Sequence, residues 1–232
     1  MGKKIPKMLI PVSGKPLIYW ALRNLEECPS VHTIVLVVPP LHKKVFEKRV
    51  RQWRFRKVRA VVSGGKERTD STRNALKAMP IECRWIGIHD GARAFVACEL
   101  VRKCFEAAKK SGAAILAVPV KDTIKVARSR LKRGPIWIEE TVPRRICWAA
   151  QTPQVFRRDI AEKIHGNRPP LQYRRGFVFT DDASLAEAWG TKVAIVPGSY
   201  DNLKITTPED LILAETFLKR KKNETTKESK GK

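Results

Sequence analysis

Two adjacent glycines, Gly64 and Gly65, lie in a polar segment, SGGKERTDS, that opens a predicted helix. Glycine has no side chain, so the backbone at these positions can approach a ligand closely. The first turn of the helix offers free N–H groups to an anion or to a polar base. The segment therefore predicts a phosphate- or nucleotide-binding loop, a pattern that many α/β turns share.

A second polar segment, HDGAR, places a carboxylate and a guanidinium three residues apart, at Asp90 and Arg93. Such a pair can bind a polyol hydroxyl and a phosphate through charge-assisted hydrogen bonds. The alternative is an ion pair that only holds its own loop. We expect the neighbouring His89 to be structural, because no nearby residue completes a catalytic triad.

Two acidic segments follow later in the chain, TDDAS at residues 180–184 and TTPEDL at residues 206–211. Taken singly, each is typical of a helix N-terminus, where a threonine caps the helix and acids occupy the first turn. That interpretation would explain Thr180 and Thr207 without any ligand.

Apolar, β-branched runs alternate with helical patterns through the first half of the chain. The strands are predicted at 33–38, 58–62, 85–88 and 113–118, and the helices at 15–27, 41–52, 68–78 and 96–110. Strands of this kind, separated by helices, are typical of a parallel sheet that is covered on both faces. We predict an α/β fold with a doubly wound, mostly parallel, Rossmann-like sheet. Ligands bind such sheets at the carboxyl ends of strands, where the polar segments lie.

A β-hairpin arm is predicted after Val120, with short strands at Thr123–Val126 and Ile136–Glu140 around a basic turn. An isolated hairpin is barely stable in water, so we expect this arm, about residues 122–145, to pack on a second copy of the chain. The protein would then be a homodimer.

The remaining pattern predicts that residues 1–220 form a single domain. Its later elements are helices at 157–165, 181–189 and 208–220 and a strand at 193–196. Residues 221–232 are rich in lysine, threonine and glutamate, and we predict a basic, disordered tail there.

The chain is strongly basic, with 47 Lys and Arg against 23 Asp and Glu and a formal net charge of +24. Such a surface attracts polyanions and phosphorylated metabolites. Residues 43–59 carry nine basic side chains and one acid, so nucleic-acid contact is one interpretation. We favour solvated helix faces, because no RNA- or DNA-binding motif accompanies the charge.

The sequence has no apolar run long enough to span a membrane and no signal-peptide pattern at its start. It has five cysteines, without a CxxC motif or a His/Cys metal spacing. We expect reduced thiols in a cytoplasmic protein.

In this order and spacing, the polar segments are specific to one family. With Pro6-Lys7, GKPLI, PVKDTIK, QTPQVF and DNLKITTPEDL, the chain resembles the 2-C-methyl-D-erythritol 4-phosphate cytidylyltransferases of the non-mevalonate isoprenoid pathway. The resemblance runs from about Lys7 to about Leu218 and implies the nucleotidyltransferase version of the predicted fold.

The resemblance implies a reaction in which a phosphate oxygen of a sugar-alcohol phosphate attacks the α-phosphate of CTP, and pyrophosphate leaves. Mg²⁺ would be bound mainly through the CTP phosphates, with no metal ligand from the protein. The related ribitol-phosphate cytidylyltransferases share several motifs. TDDAS followed by Glu187, together with TVPR before WAAQTPQ, favours methylerythritol phosphate as the acceptor.

The resemblance also implies roles for single residues. Lys7 and Lys204 would stabilise charge at the reacting phosphorus, and Arg144, reaching across from a partner subunit, would position the acceptor phosphate. The residues expected to contact the acceptor are Asp90, Arg93, Thr123 and Thr180, and those expected to contact cytidine are Gly64, Gly65 and Ser71.

The chain departs from the family at its beginning. The family opens with a buried strand and a glycine-rich loop that wraps the triphosphate, and Met1-Gly2 align with the end of that loop. We therefore expect neighbouring strands to lack hydrogen-bond partners, and residues 1–232 to show weak or no CMP transfer. Lys66 stands where relatives often carry an acid.

Overall fold

Helices and strands alternate along the chain in the computed structural model, which describes residues 6–127, 135–166, 170 and 179–230. The helices are Leu17–Glu27 (α1), Lys43–Trp53 (α2), Arg68–Ala78 (α3), Cys98–Ser111 (α4), Arg158–Gly166 (α5), Asp182–Ala188 (α6) and Pro208–Lys230 (α7). The strands are Pro11–Val12 (β1), Lys15–Pro16 (β2), Ile34–Val38 (β3), Val58–Ser63 (β4), Trp85–Ile88 (β5), Ala113–Pro119 (β6), Ile124–Ala127 (β7), Ile138–Val142 (β8), Trp148–Arg157 (β9) and Ala194–Pro197 (β10). The α/β fold class and the four strands predicted in the first half of the chain are confirmed.

The central sheet is mixed, with the strand order β10-β6-β9-β5. Strand β10 is parallel to β6, whereas β9 is antiparallel to both β6 and β5. The sequence pattern did not predict β9, whose polar residues and Pro153 argue against a central strand. The sheet is therefore less parallel than expected, and β9 brings the segment Gln151–Gln154 to the carboxyl end of β5.

The faces of the sheet are covered by helices with apolar residues at helical spacing. On α4, Val101, Cys104 and Ala108 are buried, one helical turn apart, and pack with Leu116 and Val155 of the central sheet. The helix ends at Gly112, whose φ of +86° suits glycine and reverses the chain into β6. The packing of α4 on the sheet therefore fixes the positions of the strands from which the polar loops extend.

Strands β3 and β4 form a separate parallel pair. A cavity of about 870 Å³ lies between β3 and β5, and its lining includes all of both strands together with Ile18 and Phe105. Within the described residues, β3 is paired only with β4, and β5 only with β9.

The hairpin arm consists of β7 and β8, which pair antiparallel from Ile124 opposite Val142. The predicted basic turn at residues 128–134 lies outside the described residues. Helix α7 continues to Lys230, ten residues past the predicted end at 220 and into the segment predicted to be disordered. Residues 209–230 contain neither proline nor glycine, so no residue there breaks the helix.

No helix in the described part of the chain is both long enough and apolar enough to cross a membrane.

Candidate active site

Asp90 lies in the loop after β5 and holds two cationic side chains from distant parts of the chain. Its Oδ2 lies 2.8 Å from Lys204 Nζ, and its Oδ1 lies 3.4 Å from Arg68 Nη1. Burial raises the pKa of Asp90, but the hydrogen bond and charge of Lys204, with the charges of nearby guanidinium groups, outweigh burial and hold the pKa below its ordinary value. The carboxylate is therefore ionised at neutral pH, and it fixes a lysine beside a cleft.

Arg68, at the start of α3, joins Asp90 to a second carboxylate. Its Nη2 donates a short hydrogen bond to Asp182 Oδ2, and the Asp182 side chain is only 2% exposed. His165 Nε2 lies 3.3 Å from the other oxygen of Asp182. Burial lowers the pKa of Arg68, but the two carboxylates together raise it by a larger amount. The pKa therefore lies above its ordinary value. Arg68 thus carries a permanent charge between α6 and the Asp90 loop.

Arg93 binds backbone carbonyls rather than a free anion. Its Nη1 donates to Asn202 O at 2.7 Å and its Nη2 to Ala150 O at 3.2 Å. A backbone hydrogen bond from Ile205 N to Ala92 O, 2.9 Å, joins the same two segments. Together, the Arg93 side chain and this backbone bond hold the chain on either side of Lys204 against the Asp90 loop.

Two side-chain amides, of Asn202 and Gln151, attach the segment before Lys204 to strand β9. Asn202 is 1% exposed, and its Nδ2 donates to Thr152 O at 2.9 Å and to Gln151 Oε1 at 3.2 Å. Gln151 Nε2 in turn donates to Ser199 O at 2.8 Å. Buried amides are costly without partners, so these bonds position the Lys204 backbone strongly.

His89 is held in one neutral form by its two neighbours. Its Nε2 lies 3.1 Å from Arg93 O, a carbonyl that can only accept, so Nε2 carries the proton. Its Nδ1 lies 2.9 Å from Thr152 Oγ1 and carries no proton, so the Thr152 hydroxyl donates to it. The same hydroxyl oxygen accepts a hydrogen bond from Asp90 N at 3.0 Å. Burial lowers the pKa of His89 to about 4.

We expect the imidazole ¹⁵N signals of His89 to stay those of the neutral Nε2–H form from pH 8 down to about pH 5. At a pH below the ordinary histidine pKa of 6.5, His89 is protonated in the unfolded chain but stays neutral in the folded protein. Its contribution to stability is therefore complete above pH 6.5 and is lost as the pH falls towards 4. Free histidine in the same tube is the reference, and His89→Gln assigns the signal. A midpoint near that of the reference would contradict this arrangement.

Gly64 and Gly65 fold back on the first turn of α3. Gly65 N donates to Ser71 Oγ at 3.1 Å, and Ser71 Oγ donates to Glu67 O at 3.1 Å. A Cβ on Gly65 would lie 2.2 Å from Asp70 Cβ, so no other residue fits there. The three residues predicted to contact cytidine are thus neighbours, with Gly64 and Gly65 in the loop after β4 and Ser71 in the first turn of α3.

Lys7 is exposed in a short 3₁₀ turn, Lys7–Leu9. The turn lies near Asp90, because a Cβ on Gly91 would lie 3.6 Å from Met8 Cε. That Cβ would also lie 2.8 Å from Ile18 Cδ1, so Gly91 allows α1 to approach the loop closely. The structure therefore brings the Lys7–Leu9 turn next to the loop that carries Asp90.

Three further predicted residues, Arg144, Thr123 and Thr180, are all exposed. Arg144 is exposed at the base of the arm, where its Nη1 donates to Lys121 O at 2.6 Å, and Thr123 is exposed on the same side. Thr180 is exposed directly before Asp181, which caps α6 by accepting from Ser184 N at 2.9 Å. Asp181, rather than Thr180, is the residue whose side chain caps this helix.

Two charged residues of the site were not singled out from the sequence, Arg68 and Asp182. Both lie inside the polar segments SGGKERTDS and TDDAS. Each is also typical of the first turn or the end of a helix, so only their contact across 114 residues reveals the pair.

The carboxylates of Asp90 and Asp182 already face nitrogen atoms of other side chains. Asp90 faces Lys204 and Arg68, and Asp182 faces Arg68 and His165. Within the described residues, no group of three His, Cys, Asp or Glu side chains could hold a metal ion. The donor set suits anions, such as phosphates, better than a metal bound by the protein alone.

A family model described as "IspD: 2-C-methyl-D-erythritol 4-phosphate cytidylyltransferase" matches residues 1–220. The 2-C-methyl-D-erythritol 4-phosphate cytidylyltransferase of Shouchella clausii is 43% identical over 218 residues, which cover 94% of this chain and 90% of the relative. That of Caldanaerobacter subterraneus is 38% identical over 221 residues, 95% of this chain and 93% of the relative.

Solved structures give the same result. The crystal structure of 4-diphosphocytidyl-2C-methyl-D-erythritol synthase from Anaerococcus prevotii is similar with a TM-score of 0.79 and 28% identity, covering 94% of this chain and 92% of that one. The cytidylyltransferase structure from Thermus thermophilus has a TM-score of 0.70 and 30% identity, covering 91% and 93%.

Proposed function

The chain belongs to the 2-C-methyl-D-erythritol 4-phosphate cytidylyltransferase family, a nucleotidyltransferase family of isoprenoid biosynthesis, and from that premise we propose that CMP transfer takes place beside Asp90 and Lys204. The acceptor is 2-C-methyl-D-erythritol 4-phosphate and the donor is CTP. The observation that carries this placement is the 2.8 Å contact between Lys204 Nζ and Asp90 Oδ2, which holds a cation at the carboxyl end of β5.

In the proposed reaction, an oxygen of the acceptor phosphate attacks the α-phosphorus of CTP. The new P–O bond forms as the bond to the bridging oxygen of the β-phosphate breaks, and pyrophosphate leaves with that electron pair. The protein's task is to align these groups and to stabilise negative charge on the α-phosphate. Mg²⁺, held by the CTP phosphates, supplies further neutralising charge when bound.

Lys204 has the donors that this task requires. An ammonium group carries three N–H donors, and Asp90 uses one, so two can reach the α-phosphate and the acceptor phosphate. Lys7 approaches from the neighbouring turn as a second cation. Asp90 keeps unused lone pairs beyond those facing Lys204 and Arg68, and these accept hydrogen bonds from the acceptor's hydroxyls.

The remaining site residues, apart from Arg93, keep their predicted roles within this proposal. The Gly64–Gly65 loop and Ser71 bind cytosine and ribose at the carboxyl end of β4. Thr180 lies before the capped end of α6 and contacts the acceptor, with Thr123. Arg93 acts mainly on the backbone beside Lys204, because its terminal nitrogens are bonded to two carbonyls.

The hairpin arm is the proposed dimer contact. Near β8, Ile136, Trp137 and Ile138 are 69%, 75% and 62% exposed, respectively, which is unusual for such large apolar side chains. A second copy of the chain would cover them. Arg144, at the base of the arm, would then reach the acceptor phosphate in the partner's site. A cytoplasmic location also stays a prediction.

A comparison of acceptors tests the function. We expect radiolabelled CMP from CTP to be transferred to methylerythritol phosphate at least about 100 times faster than to ribitol 5-phosphate, because a polar site rejects an acceptor that leaves its groups unpaired. The comparison is a ratio, so it does not depend on the absolute rate of CMP transfer. A preference for ribitol 5-phosphate, or pyrophosphate release without an acceptor, would contradict the proposal. Family membership disfavours ribitol phosphate transfer and a nucleic-acid-binding role.

A further inference from the structure

Two cysteines far apart in the sequence, Cys28 and Cys98, meet outside the active site. Cys28 follows the last residue of α1 and is fully buried, whereas Cys98 is the first residue of α4 and is partly exposed. Their sulfur atoms lie 2.6 Å apart. Nearby, Asn24 Nδ2 of α1 donates to Ala94 O, in the segment before α4, at 2.7 Å.

The separation of the two sulfur atoms is unlike the other thiol contacts. Among the described residues, the hydrogen bonds from cysteine sulfur to carbonyl oxygen measure 3.4–3.6 Å, at Cys28, Cys104 and Cys147. A disulfide bond is about 2.05 Å long. The Cys28–Cys98 pair is thus nearer to bonding distance than to an ordinary thiol contact, and little movement would complete the bond.

We propose that Cys28 and Cys98 are a modification site, at which a hydroperoxide oxidises the two thiols to a disulfide that joins the end of α1 to the start of α4. The site is separate from CMP transfer, and none of the residues placed in the active site belongs to it.

The partly exposed thiol reacts first. The Cys98 thiolate attacks one peroxide oxygen, the O–O bond breaks, and water leaves, which produces a sulfenic acid. Cys28 sulfur then attacks Cys98 sulfur, the S–S bond forms, and a second water leaves. In total, two thiols lose two protons and two electrons, and one hydrogen peroxide is reduced to two waters.

The surroundings explain why Cys98 is the entry point. Cys28 is closed to solvent, so an oxidant reaches it only through its partner. Burial raises the pKa of Cys98 to about 11, so thiolate is scarce at neutral pH and air oxidation is slow. The experiment therefore supplies peroxide at pH 8.5.

The disulfide would close a loop that contains α2, α3 and β3–β5. A cross-link of this length restricts the unfolded chain strongly, so we expect the melting temperature of the oxidised protein to rise by about 5–10 °C. CMP transfer should change less than about twofold, because the contact lies away from the Asp90 site.

The test counts thiols in the denatured wild-type protein before and after one equivalent of hydrogen peroxide. We expect five thiols to become three, with the change reversed by dithiothreitol. A peptide map of the monomer band on a non-reducing gel should contain the Cys28 and Cys98 peptides as one linked species. Retention of five thiols, or a linked peptide with another partner, would overturn the proposal.

Variants give a second measurement. Cys98→Ser should keep its four thiols after peroxide and show no rise in melting temperature, whereas Cys147→Ser should still lose two of its four. Should Cys98→Ser fail to fold, the wild-type peptide map decides alone. Loss of two thiols in Cys98→Ser would contradict the pairing.

Discussion

Replacing Lys204 with methionine is expected to lower kcat/KM for CMP transfer by at least about 100-fold, because one preorganised cation at a developing charge is worth that much in mutagenesis. The loss should lie mostly in kcat, since the charge on the α-phosphate grows in the transition state. Methionine keeps the length and the apolar stem of the side chain. Lys204→Arg keeps the charge but not the shape of the ammonium group, so its activity should lie between those of the wild-type protein and Lys204→Met.

The same variant has a signature at Asp90. Lys204 is the cation that most lowers the Asp90 pKa, so its removal should move that pKa back towards the ordinary value. ¹³C NMR of the carboxyl group measures this shift.

Lys110→Met, an exposed lysine at the far end of α4, is the matched control and should change kcat/KM less than about twofold. Wild-type activity in a folded Lys204→Met protein would remove the basis of the proposed site.

Replacing Arg68 with alanine is expected to have the largest effect on stability, lowering the free energy of unfolding by about 2–3 kcal/mol. Asp182 is 2% exposed, and without the guanidinium its charge would be left buried beside His165. Breaking a fully buried ion pair would lower the stability more. Because the Arg68 side chain is 39% exposed, water can partly take the place of the missing guanidinium group. Urea unfolding at pH 7 measures the loss, with the slope checked for two-state behaviour.

Two further variants show whether the buried carboxylate is the cause. Adding Asp182→Asn to Arg68→Ala should restore at least half of the lost stability, because the uncompensated charge is removed. Arg102 makes two ion pairs on α4, at 2.6 Å and 2.5 Å, with Glu99 and Glu106, both about half exposed. Arg102→Ala should leave the urea midpoint unchanged, since exposed pairs contribute little. Equal losses in Arg68→Ala and Arg102→Ala would refute the role assigned to Asp182.

Local patterns were sufficient for most elements of the fold. Strand β5 has the predicted bounds, Trp85–Ile88, because a short apolar run between turn residues has few alternatives. Strand β9 was missed because its pattern is set by pairing on both sides, which overrides its proline and polar residues. Helix α7 extends past its predicted end because residues 209–230 contain no helix breaker, although their charge-rich composition is typical of disorder.

The site shows a similar division. Asp90 and Lys204 were singled out from motifs far apart in the chain, and the structure places them in contact. Arg93 was expected to bind substrate or to hold its own loop, and in the structure it holds the Asn202 backbone. A side chain's type limits the chemistry it can perform, but its neighbours decide which of its bonds are already used.

The sequence by itself determined most of the strands and helices, and which polar residues follow the strand ends, because these depend on side chains within a few residues of each other. The tertiary structure alone decided that Arg68 meets Asp182, that Cys28 meets Cys98, and that a cavity separates β3 from β5. These contacts depend on strand order and register, which distant segments settle together by burying apolar surface and pairing backbone groups.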